Sequence, residues 1–279
     1  MSGAVEQASD DRSGERREGL NQPHSGHDAE PQTHAGKVAI VTGAGRGIGA
    51  AIAEMLAARG AWVAVLDVDL DLARETAARC GGFPLACDVA DRAQVEAVCA
   101  AAEAELGPAD IVVNNAGISP KTNGRALGVH EMPWEEWDRV MAVNLSGAFA
   151  MIRALAPGMI ARRSGRIVNT ASVAGKTYTP IVGCHYTASK AALIGLTKHL
   201  AGELGPHGIT VNALCPGRID TPLARSVDPR LNEQVLTATP MGRFGTAEEV
   251  ARTCCYLTGP DAAFVTGQAV DIAGGWMQT

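Results

Sequence analysis

The sequence predicts an α/β fold, a single domain built on a doubly wound parallel sheet flanked by helices on both faces. Short apolar runs typical of buried strands alternate along the chain with longer helix-like stretches, the pattern of a parallel sheet whose crossovers are helices. After a polar N-terminal segment, roughly 240 of the 279 residues remain, enough for one large core. We therefore expect one folded domain over residues 36–279.

The first 35 residues differ in composition from the rest of the chain. They are rich in Ser, Gly, His, Gln and Pro, and they show almost no apolar periodicity. Such a segment buries too little apolar surface to offset the entropy of ordering it, so residues 1–35 are predicted to form a flexible tail. The segment lacks the apolar centre of a secretory signal, and no later apolar run looks long enough to span a bilayer. We expect a cytoplasmic protein without a membrane partner.

Charge and cysteine content narrow the range of expected binding partners. The formal net charge is −6, and no Lys/Arg block offers a footprint for nucleic acid. The seven cysteines are odd in number and form no Cys-x-x-Cys pair, so neither a disulfide framework nor a metal site is expected. Small molecules are the predicted partners.

A glycine-rich loop stands between a strand and a helix near the start of the domain. Residues 37–42 form a short apolar strand, residues 43–49 the loop, and an alanine-rich helix follows. Such a turn lets the backbone approach a pyrophosphate, whose charge the free amides of the helix N-terminus stabilise. A second apolar run ends at Asp67, about 20 residues beyond the glycines, where an acid that bonds an adenosine ribose is expected. This arrangement predicts a Rossmann-type dinucleotide-binding sheet.

A tyrosine and a lysine lie four residues apart at Tyr186 and Lys190. This spacing places both side chains on one helix face. A phenol titrates near pH 10, about three units above neutrality, but a neighbouring cation favours the phenolate and moves the pKa towards working pH. The pair therefore indicates a proton-transfer acid and base.

With these motifs, the chain resembles the classical short-chain dehydrogenase/reductase (SDR) family from about Lys37 to its C-terminus. The family pattern Thr-Gly-x-x-x-Gly-x-Gly is met by Thr42, Gly43, Gly47 and Gly49. An Asn-Asn-Ala-Gly motif occupies residues 114–117, and a Pro-Gly motif occupies residues 216–217. The chain is similar to 3-oxoacyl-ACP reductase-like members and to sugar and secondary-alcohol dehydrogenases.

The resemblance implies a role for each motif residue. Tyr186 would exchange a proton with the substrate oxygen, and Lys190 would lower its pKa and bond the nicotinamide ribose. Ser172 would hydrogen-bond the substrate oxygen, and Asn144 would hold a helix kink and a water that links Lys190 to solvent. The implied catalytic residues are Asn144, Ser172, Tyr186 and Lys190. The implied cofactor contacts are Gly43, Arg46, Gly47, Ile48, Gly49, Asp67, Asp88, Val89, Asn115, Ala116, Gly117, Tyr186, Lys190, Pro216, Gly217, Ile219 and Thr221.

Several assignments have structural competitors. Ser172 could simply terminate its strand, with Thr170 and Ser189 as nearby hydroxyls of similar chemistry. Asn144 could only bond helix backbone. His185 adjoins Tyr186, but neighbours in a helix point in different directions, so we expect it to be pocket wall or a solvent contact.

The cofactor choice depends on Asp67. Its carboxylate accepts bonds from ribose hydroxyls but repels a 2′-phosphate, and like charges in a site cost several kcal/mol. NAD is therefore favoured over NADP, and Asp69 adds negative charge nearby. Arg46 argues the other way, because a guanidinium in the glycine loop can pair with a 2′-phosphate.

The leading interpretation is an NAD-dependent oxidoreductase that interconverts a secondary alcohol (a sugar, polyol or cyclic alcohol) with its ketone. The alternatives are an NADPH-dependent 3-oxoacyl thioester reductase and, more remotely, a non-catalytic dinucleotide sensor. Substrate walls are expected in residues 118–133 and in a lid over residues 219–241. The charges of Lys121, Arg125 and Arg225 either meet an anionic substrate or, as we favour, are solvated. By resemblance, the chain forms a homo-oligomer, a dimer or tetramer.

Overall fold

The structure, a computed structural model, describes residues 31–225 and 227–276. Seven parallel strands form one sheet in the order β3-β2-β1-β4-β5-β6-β7 within these residues. The strands are β1 Val38–Thr42, β2 Trp62–Asp67, β3 Phe83–Ala86, β4 Ile111–Asn114, β5 Gly165–Thr170, β6 Ile209–Pro216 and β7 Ala269–Ile272. The helices are α1 Gly47–Ala58, α2 Leu70–Cys80, α3 Arg92–Leu106, α4 Trp134–Met141, α5 Gly147–Arg162, α6 Cys184–Leu204, α7 Pro222–Arg225, α8 Pro229–Ala238 and α9 Ala247–Thr258.

Helices cover the sheet on both faces. Successive strand residues point to opposite sides, so each strand feeds two separate cores. On one side Ile40 and Val112 pack with α3, α5 and α6; on the other Val41 and Val113 pack with α1, α2 and α9. Burial on both faces explains why the strands read as continuous apolar runs. The predicted doubly wound α/β fold is confirmed.

The chain reverses its direction of travel across the sheet at β1. It moves outward from β1 to β2 and β3, then returns to place β4 on the other side of β1. Parallel register brings the carboxyl ends of β1, β4 and β5 to one edge, with Asn114 opposite Asn169. Ligands of open α/β sheets bind in the crevice beyond such a switch point. The edge after β1 and β4 is therefore where a ligand is expected.

Helices α2, α3, α8 and α9 begin with a side-chain cap, but α1, like α4, α5 and α6, does not. Asp69 caps α2, Asp91 caps α3, and Thr246 forms a capping box with Glu249 at the start of α9. Helix α1 starts after Arg46 without a side-chain cap from any described residue. Its first amides therefore remain available to a ligand.

Helices α4 and α5 form one continuous helical stretch, Trp134–Arg162, joined by a π-helical segment at Ala142–Ser146. By length and composition this stretch alone is long and apolar enough to cross a membrane, among the described residues. The expectation that no such run exists was therefore wrong. In the fold the stretch covers the sheet, with Met151 and Leu155 in the core, as the central helix of a globular domain does.

The folded domain begins a few residues before the expected boundary at residue 36. Residues 1–30, which fall in the predicted tail, lie outside the described residues. The His34 side chain is buried, with 1% exposed, and its Nε2 lies 2.9 Å from Thr258 Oγ1. The backbone N–H of His34 donates to Arg59 O. Burial, reinforced by the charge of Arg59, lowers the pKa of His34 to about 4. Residues 31–35 thus belong to the domain, against the tail boundary predicted from composition.

Protonation of His34 is expected to make the fold acid-sensitive. Its folded pKa, about 4, lies below the ordinary value of 6.5, so the unfolded chain binds the extra proton first as pH falls. The contribution is complete above about pH 6.5 and declines as pH falls towards about 4. We expect wild type to lose about 2 kcal/mol more unfolding free energy than His34→Gln between pH 7.5 and 4.5. Urea denaturation at both pH values measures this, with the exposed His130→Gln as the control; equal losses in wild type and His34→Gln would contradict it.

Candidate active site

A cavity of about 800 Å³ opens at the edge identified above, beyond β1, β4 and β5. Nearly all of the site residues predicted from the sequence line it. Those that do are Gly43, Arg46, Gly47, Ile48, Asp67, Asp88, Val89, Asn115, Ala116, Gly117, Ser172, Tyr186, Lys190, Pro216, Gly217, Ile219 and Thr221. Gly49 and Asn144 are not among the lining residues and support the walls from behind.

The glycine loop fits a dinucleotide pyrophosphate. Gly43 and Gly47 both have φ +61°, a conformation that favours glycine. A Cβ on Gly49 would overlap the carbonyl oxygen of Gly43, so only glycine allows α1 to start so close to β1. The loop then presents the uncapped amides of α1 to the cavity, the usual way in which backbone holds a phosphate.

The amide of Asn115 fastens the glycine loop to β4. Its Nδ2 donates to Thr42 O at 3.1 Å and to Gly43 O at 3.0 Å. In return, Thr42 Oγ1 accepts the backbone N–H groups of Asn115 and Ala116, at 3.0 and 3.1 Å. Asn115 was predicted as a cofactor contact; the structure adds a structural role, because both of its amide hydrogens are engaged within the protein.

Asp67 stands at the end of β2 with its carboxylate fixed. Oδ2 accepts the Gly45 N–H at 2.9 Å, and Oδ1 accepts the Asp69 N–H at 3.1 Å. A Cβ on Gly45 would lie 2.8 Å from Asp67 Oδ2, so the loop and the carboxylate are packed together. Arg46, the competing cation, is exposed beside them. The negative charge is therefore held in place, whereas the positive charge sits on an exposed side chain.

Asp88 and Val89 form another part of the wall. Asp88 Oδ1 accepts the Ala90 N–H at 3.0 Å, and Oδ2 accepts a bond from Arg139 Nη2 at 3.0 Å. Asp88 thus shapes its own turn while lining the cavity, and Val89 packs against Gly147 of α5, where a Cβ would lie 2.8 Å from Val89 Cγ2. The two residues form a fixed, partly apolar surface suited to an adenine ring.

Tyr186, Ser172 and Lys190 meet at the centre of the cavity. The Ser172 hydroxyl accepts the Ala174 N–H at 3.1 Å, and Ser172 lies close enough to Tyr186 to lower the pKa of its hydroxyl. Lys190 Nζ donates to Thr170 O at 2.7 Å and lies 5.6 Å from the Tyr186 ring centroid. Ser172 therefore holds the turn after β5, and its hydrogen bond to the substrate oxygen stays a prediction.

Burial dominates the electrostatics of this group. It raises the pKa of Tyr186, and the Ser172 hydrogen bond and the positive charge of Arg218 act against this rise. Burial lowers the pKa of Lys190 to about 8. The sequence predicted that Lys190 lowers the tyrosine pKa; in the structure Arg218 is the cation that acts on Tyr186, and the pKa lies above its ordinary value.

Asn144, for which a helix kink was predicted, lies in the π-helical segment Ala142–Ser146 between α4 and α5. The residue is 1% exposed. Its Oδ1 accepts the Ile118 N–H at 2.8 Å, and its Nδ2 donates to Ile118 O at 3.0 Å and to Ser189 Oγ at 3.2 Å. A Cβ on Gly117 would lie 3.4 Å from Asn144 Oδ1 and 3.3 Å from Lys190 Nζ, so both groups border the space beside Gly117. The proton relay through Asn144 stays a prediction.

Ser189 and His185, the polar neighbours of Tyr186 in the sequence, lie outside the cavity and hydrogen-bond other parts of the protein. Ser189 donates to Tyr186 O at 2.8 Å and does not line the cavity. His185 was expected at the pocket wall or in solvent, and this was wrong. It is fully buried, its Nδ1 accepts the Tyr186 N–H at 2.7 Å, and its Nε2 donates to Glu136 Oε1 at 2.9 Å. This pair ties the start of α6 to α4.

The cations considered for an anionic substrate separate into two groups. Arg125 is exposed, and Arg225 is exposed and pairs with Asp220 at 2.9 Å, as the solvated interpretation predicts. Lys121 instead is half-buried and lines the cavity. Arg218 also lines it and was missed in the sequence, although its place directly after Pro216 and Gly217 was a usable signal.

The fold and the cavity together define an oxidoreductase that uses a nicotinamide dinucleotide and acts on CH–OH or keto groups. Residues 43–277 match the family model described as enoyl-(acyl carrier protein) reductase. The chain belongs to the classical short-chain dehydrogenase/reductase family, as its motifs predicted.

Known relatives span most of the chain and nearly all of their own length. Acetoacetyl-CoA reductase of Rhizobium meliloti is 43% identical over 242 residues, which are 86% of this chain and 98% of the relative. 2-(R)-Hydroxypropyl-CoM dehydrogenase of Xanthobacter autotrophicus is 42% identical over 249 residues, with the same two coverages. A solved 3-oxoacyl-[acyl-carrier protein] reductase from Brucella melitensis, with bound NAD, is 47% identical, with a TM-score of 0.84 and coverage of 94% of this chain and 99% of that one.

Removal of the Asn115 amide is expected to loosen the glycine loop. In Asn115→Ala, the carbonyls of Thr42 and Gly43 lose the donor that satisfies them, and an unmet buried group costs about 1–3 kcal/mol. We expect a fall of that size in the unfolding free energy, together with weaker binding of NADH, measured by denaturation and by fluorescence titration. The exposed Asn123→Gly is the matched control. Wild-type NADH affinity in Asn115→Ala would show that the amide does not hold the loop.

Proposed function

We propose that the protein is an NAD-dependent dehydrogenase that interconverts a secondary alcohol with its ketone, with Tyr186 as the general acid and base. The observation that carries this proposal is that Tyr186, Ser172 and Lys190 line one cavity together with the glycine loop. The substrate oxygen would lie between the two hydroxyls. No other described tyrosine lines the cavity.

The protein's own residues supply proton transfer and orientation. When NAD is bound, its nicotinamide accepts the hydride from the alcohol carbon or returns it to the ketone. Tyr186 takes the alcohol proton or gives it to the ketone oxygen, and Ser172 donates to the charge that develops there. Lys190, fixed by Thr170 O, would hold the nicotinamide ribose. The glycine loop would hold the pyrophosphate, and Thr221 the carboxamide.

The preference for NAD over NADP rests on the fixed carboxylate of Asp67. Both of its oxygens accept backbone N–H groups, so it cannot turn away from a 2′-phosphate without breaking these bonds. NAD in the Brucella melitensis relative supports the same choice. The exposed Arg46 is the competing influence.

A second candidate is an NADPH-dependent 3-oxoacyl thioester reductase. The names of the relatives favour it, since acetoacetyl-CoA reductase and 3-oxoacyl-[acyl-carrier-protein] reductases are 39–43% identical to this chain. The chemistry at Tyr186 would be the same in both functions. The two candidate functions differ in the preferred cofactor, NAD or NADPH, and in whether the substrate is a thioester.

Location and assembly also remain proposals. We place the enzyme in the cytoplasm, from its composition, and we propose a homodimer or homotetramer. Helix α6 exposes Ala191 and Gly195 on its outer surface, and no atom outside the helix's own backbone lies within 4 Å of a Cβ built on Gly195. Small residues of this kind let a second helix approach closely.

Cofactor preference can be tested by parallel titration with NADH and NADPH. Wild type is expected to bind NADH more tightly, and Asp67→Ser is expected to raise the affinity for NADPH relative to NADH by about 10- to 100-fold, because the like-charge repulsion is removed. Asp69→Ser is the matched control, since it removes a nearby exposed charge but retains a capping hydroxyl for α2. Tighter NADPH binding by wild type would move the thioester reductase to first place.

Removal of the Tyr186 hydroxyl separates catalysis from binding. Tyr186→Phe is expected to lose about 100- to 10,000-fold in kcat, because the tyrosine hydroxyl beside Ser172 is the proposed proton donor and acceptor and phenylalanine lacks it. Binding of NADH should be retained, as shown by energy transfer from the protein's tryptophans. Tyr178→Phe, on an exposed tyrosine, is the control. Unchanged turnover in Tyr186→Phe would defeat the proposed mechanism.

A further inference from the structure

Besides Lys190 and the exposed Arg46, two further positively charged side chains line the cavity without a carboxylate partner among the described residues. They are Lys121, at the start of the loop after β4, and Arg218, just after β6. Within residues 31–225 and 227–276, the hydrogen bonds of both go to neutral groups. Charges taken out of water are usually paired, so an unpaired pair facing a cavity points to a ligand that supplies the negative charge.

Arg218 is held in place by two helices of the predicted lid. Its Nε donates to Asn232 Oδ1 of α8 at 2.7 Å, and its Nη2 donates to Ala224 O of α7 at 2.6 Å and to the same Asn232 oxygen. No described residue accepts a bond from Nη1. A guanidinium has five N–H donors, and the two on Nη1 are therefore left for a ligand. The fork is preorganised, because its other three hydrogens are already fixed.

Lys121 is the second cation of the pair. Its Nζ donates to Ser119 Oγ at 2.8 Å, and both residues line the cavity. Burial lowers the pKa of Lys121 to about 8, and the charge of Arg218 acts in the same direction. The nearest opposing carboxylate, Glu136, is bonded to His185 instead. Lys121 and Arg218 thus repel each other across the cavity, and an anion between them would relieve this repulsion.

The pair also lies close to the reacting group. The charge of Arg218 acts on the Tyr186 hydroxyl. Ser119 and Lys121 come shortly after Gly117 in the chain, and Gly117 lies beside Lys190. The phosphates of a dinucleotide would lie at the glycine loop, so the cofactor does not account for these cations. An anionic group on the substrate itself does.

We propose that Lys121 and Arg218 form an anion subsite beside Tyr186, and that the substrate is a small hydroxy acid or oxo acid whose carboxylate they bind. This proposal rests on the proposed function, because it names the substrate class of the same site. The subsite fixes the acid end of the substrate and thereby directs its carbonyl to Tyr186 and Ser172. A bidentate contact from Arg218 Nη1 and a second contact from Lys121 Nζ suit a carboxylate.

The test compares each acid with its uncharged ester in the reduction direction. The probes are 2-oxopentanoate, 3-oxopentanoate and 4-oxopentanoate, each beside its methyl ester, with the preferred reduced cofactor. For at least one position of the keto group, wild type should prefer the acid by about 10- to 100-fold in kcat/KM, the usual effect of a charge-assisted hydrogen bond. Lys121→Gln and Arg218→Gln should each remove most of this preference through a higher KM for the acid, with little change for the ester.

Controls separate binding from structural damage. Arg125→Gln and Arg225→Gln remove exposed charges from the same loop and the same lid, and they should retain the preference for the acid. Lys121→Arg should restore it. Arg218→Gln could disturb the lid, which would lower the rates for acid and ester equally. Lys121→Gln carries the test independently, since Lys121 holds only Ser119.

The outcomes distinguish this inference from the proposed function. Reduction of the esters as efficiently as the acids, at every keto position, overturns the anion subsite but leaves the dehydrogenase in place. No turnover of any ketone overturns the proposed function itself. A further experiment compares the 3-oxobutanoyl thioesters of coenzyme A and of N-acetylcysteamine as substrates. A charge-dependent preference confined to the coenzyme A thioester would assign the two cations to a carrier phosphate and would overturn the small-acid proposal.

Discussion

The architecture of the site depends on the junction between β1 and β4, where Asn115 and Thr42 exchange hydrogen bonds. The amide of Asn115 holds the carbonyls of Thr42 and Gly43, and the Thr42 hydroxyl accepts the amides of Asn115 and Ala116. These are the two strands between which the sheet reverses its direction of growth. A crevice at such a point is open by topology, and the four bonds fix its width. Every group that faces the cavity is positioned relative to this junction.

From the junction outward, the site separates into two ends of opposite charge. At one end, the fixed carboxylate of Asp67 lies beside the glycine loop. Elsewhere in the cavity lie the cations of Lys121 and Arg218, and the charge of Arg218 acts on Tyr186. The buried Lys190 stands between them and is anchored by a backbone carbonyl. This separation of charge would orient an elongated ligand in the cavity before it reacts.

Local patterns in the sequence predicted most of the fold and most of the cavity lining. Strand periodicity, the glycine loop and the spacing of Tyr186 and Lys190 depend on neighbours in the chain, so a sequence displays them directly. Most of the failures involve contacts between distant segments. Arg218 becomes a cavity cation only because α8 packs over it, and His34 is buried by Thr258, 224 residues away. His185 was misplaced because its partner, Glu136, lies on another helix.

The π-helical segment at Ala142–Ser146 carries Asn144, which fixes the chain at Ile118 but not the loop that follows. Asn144 grips both the N–H and the carbonyl of Ile118, so the first residue after the Asn-Asn-Ala-Gly motif is fixed in position. The chain beyond Ile118 leaves this anchor as a loop that returns only at α4. Changes of length or composition in that loop alter the cavity wall beyond the fixed position of Ile118. A single catalytic frame can therefore be fitted with new substrate walls, which accounts for relatives that share it yet bear the names of different reactions.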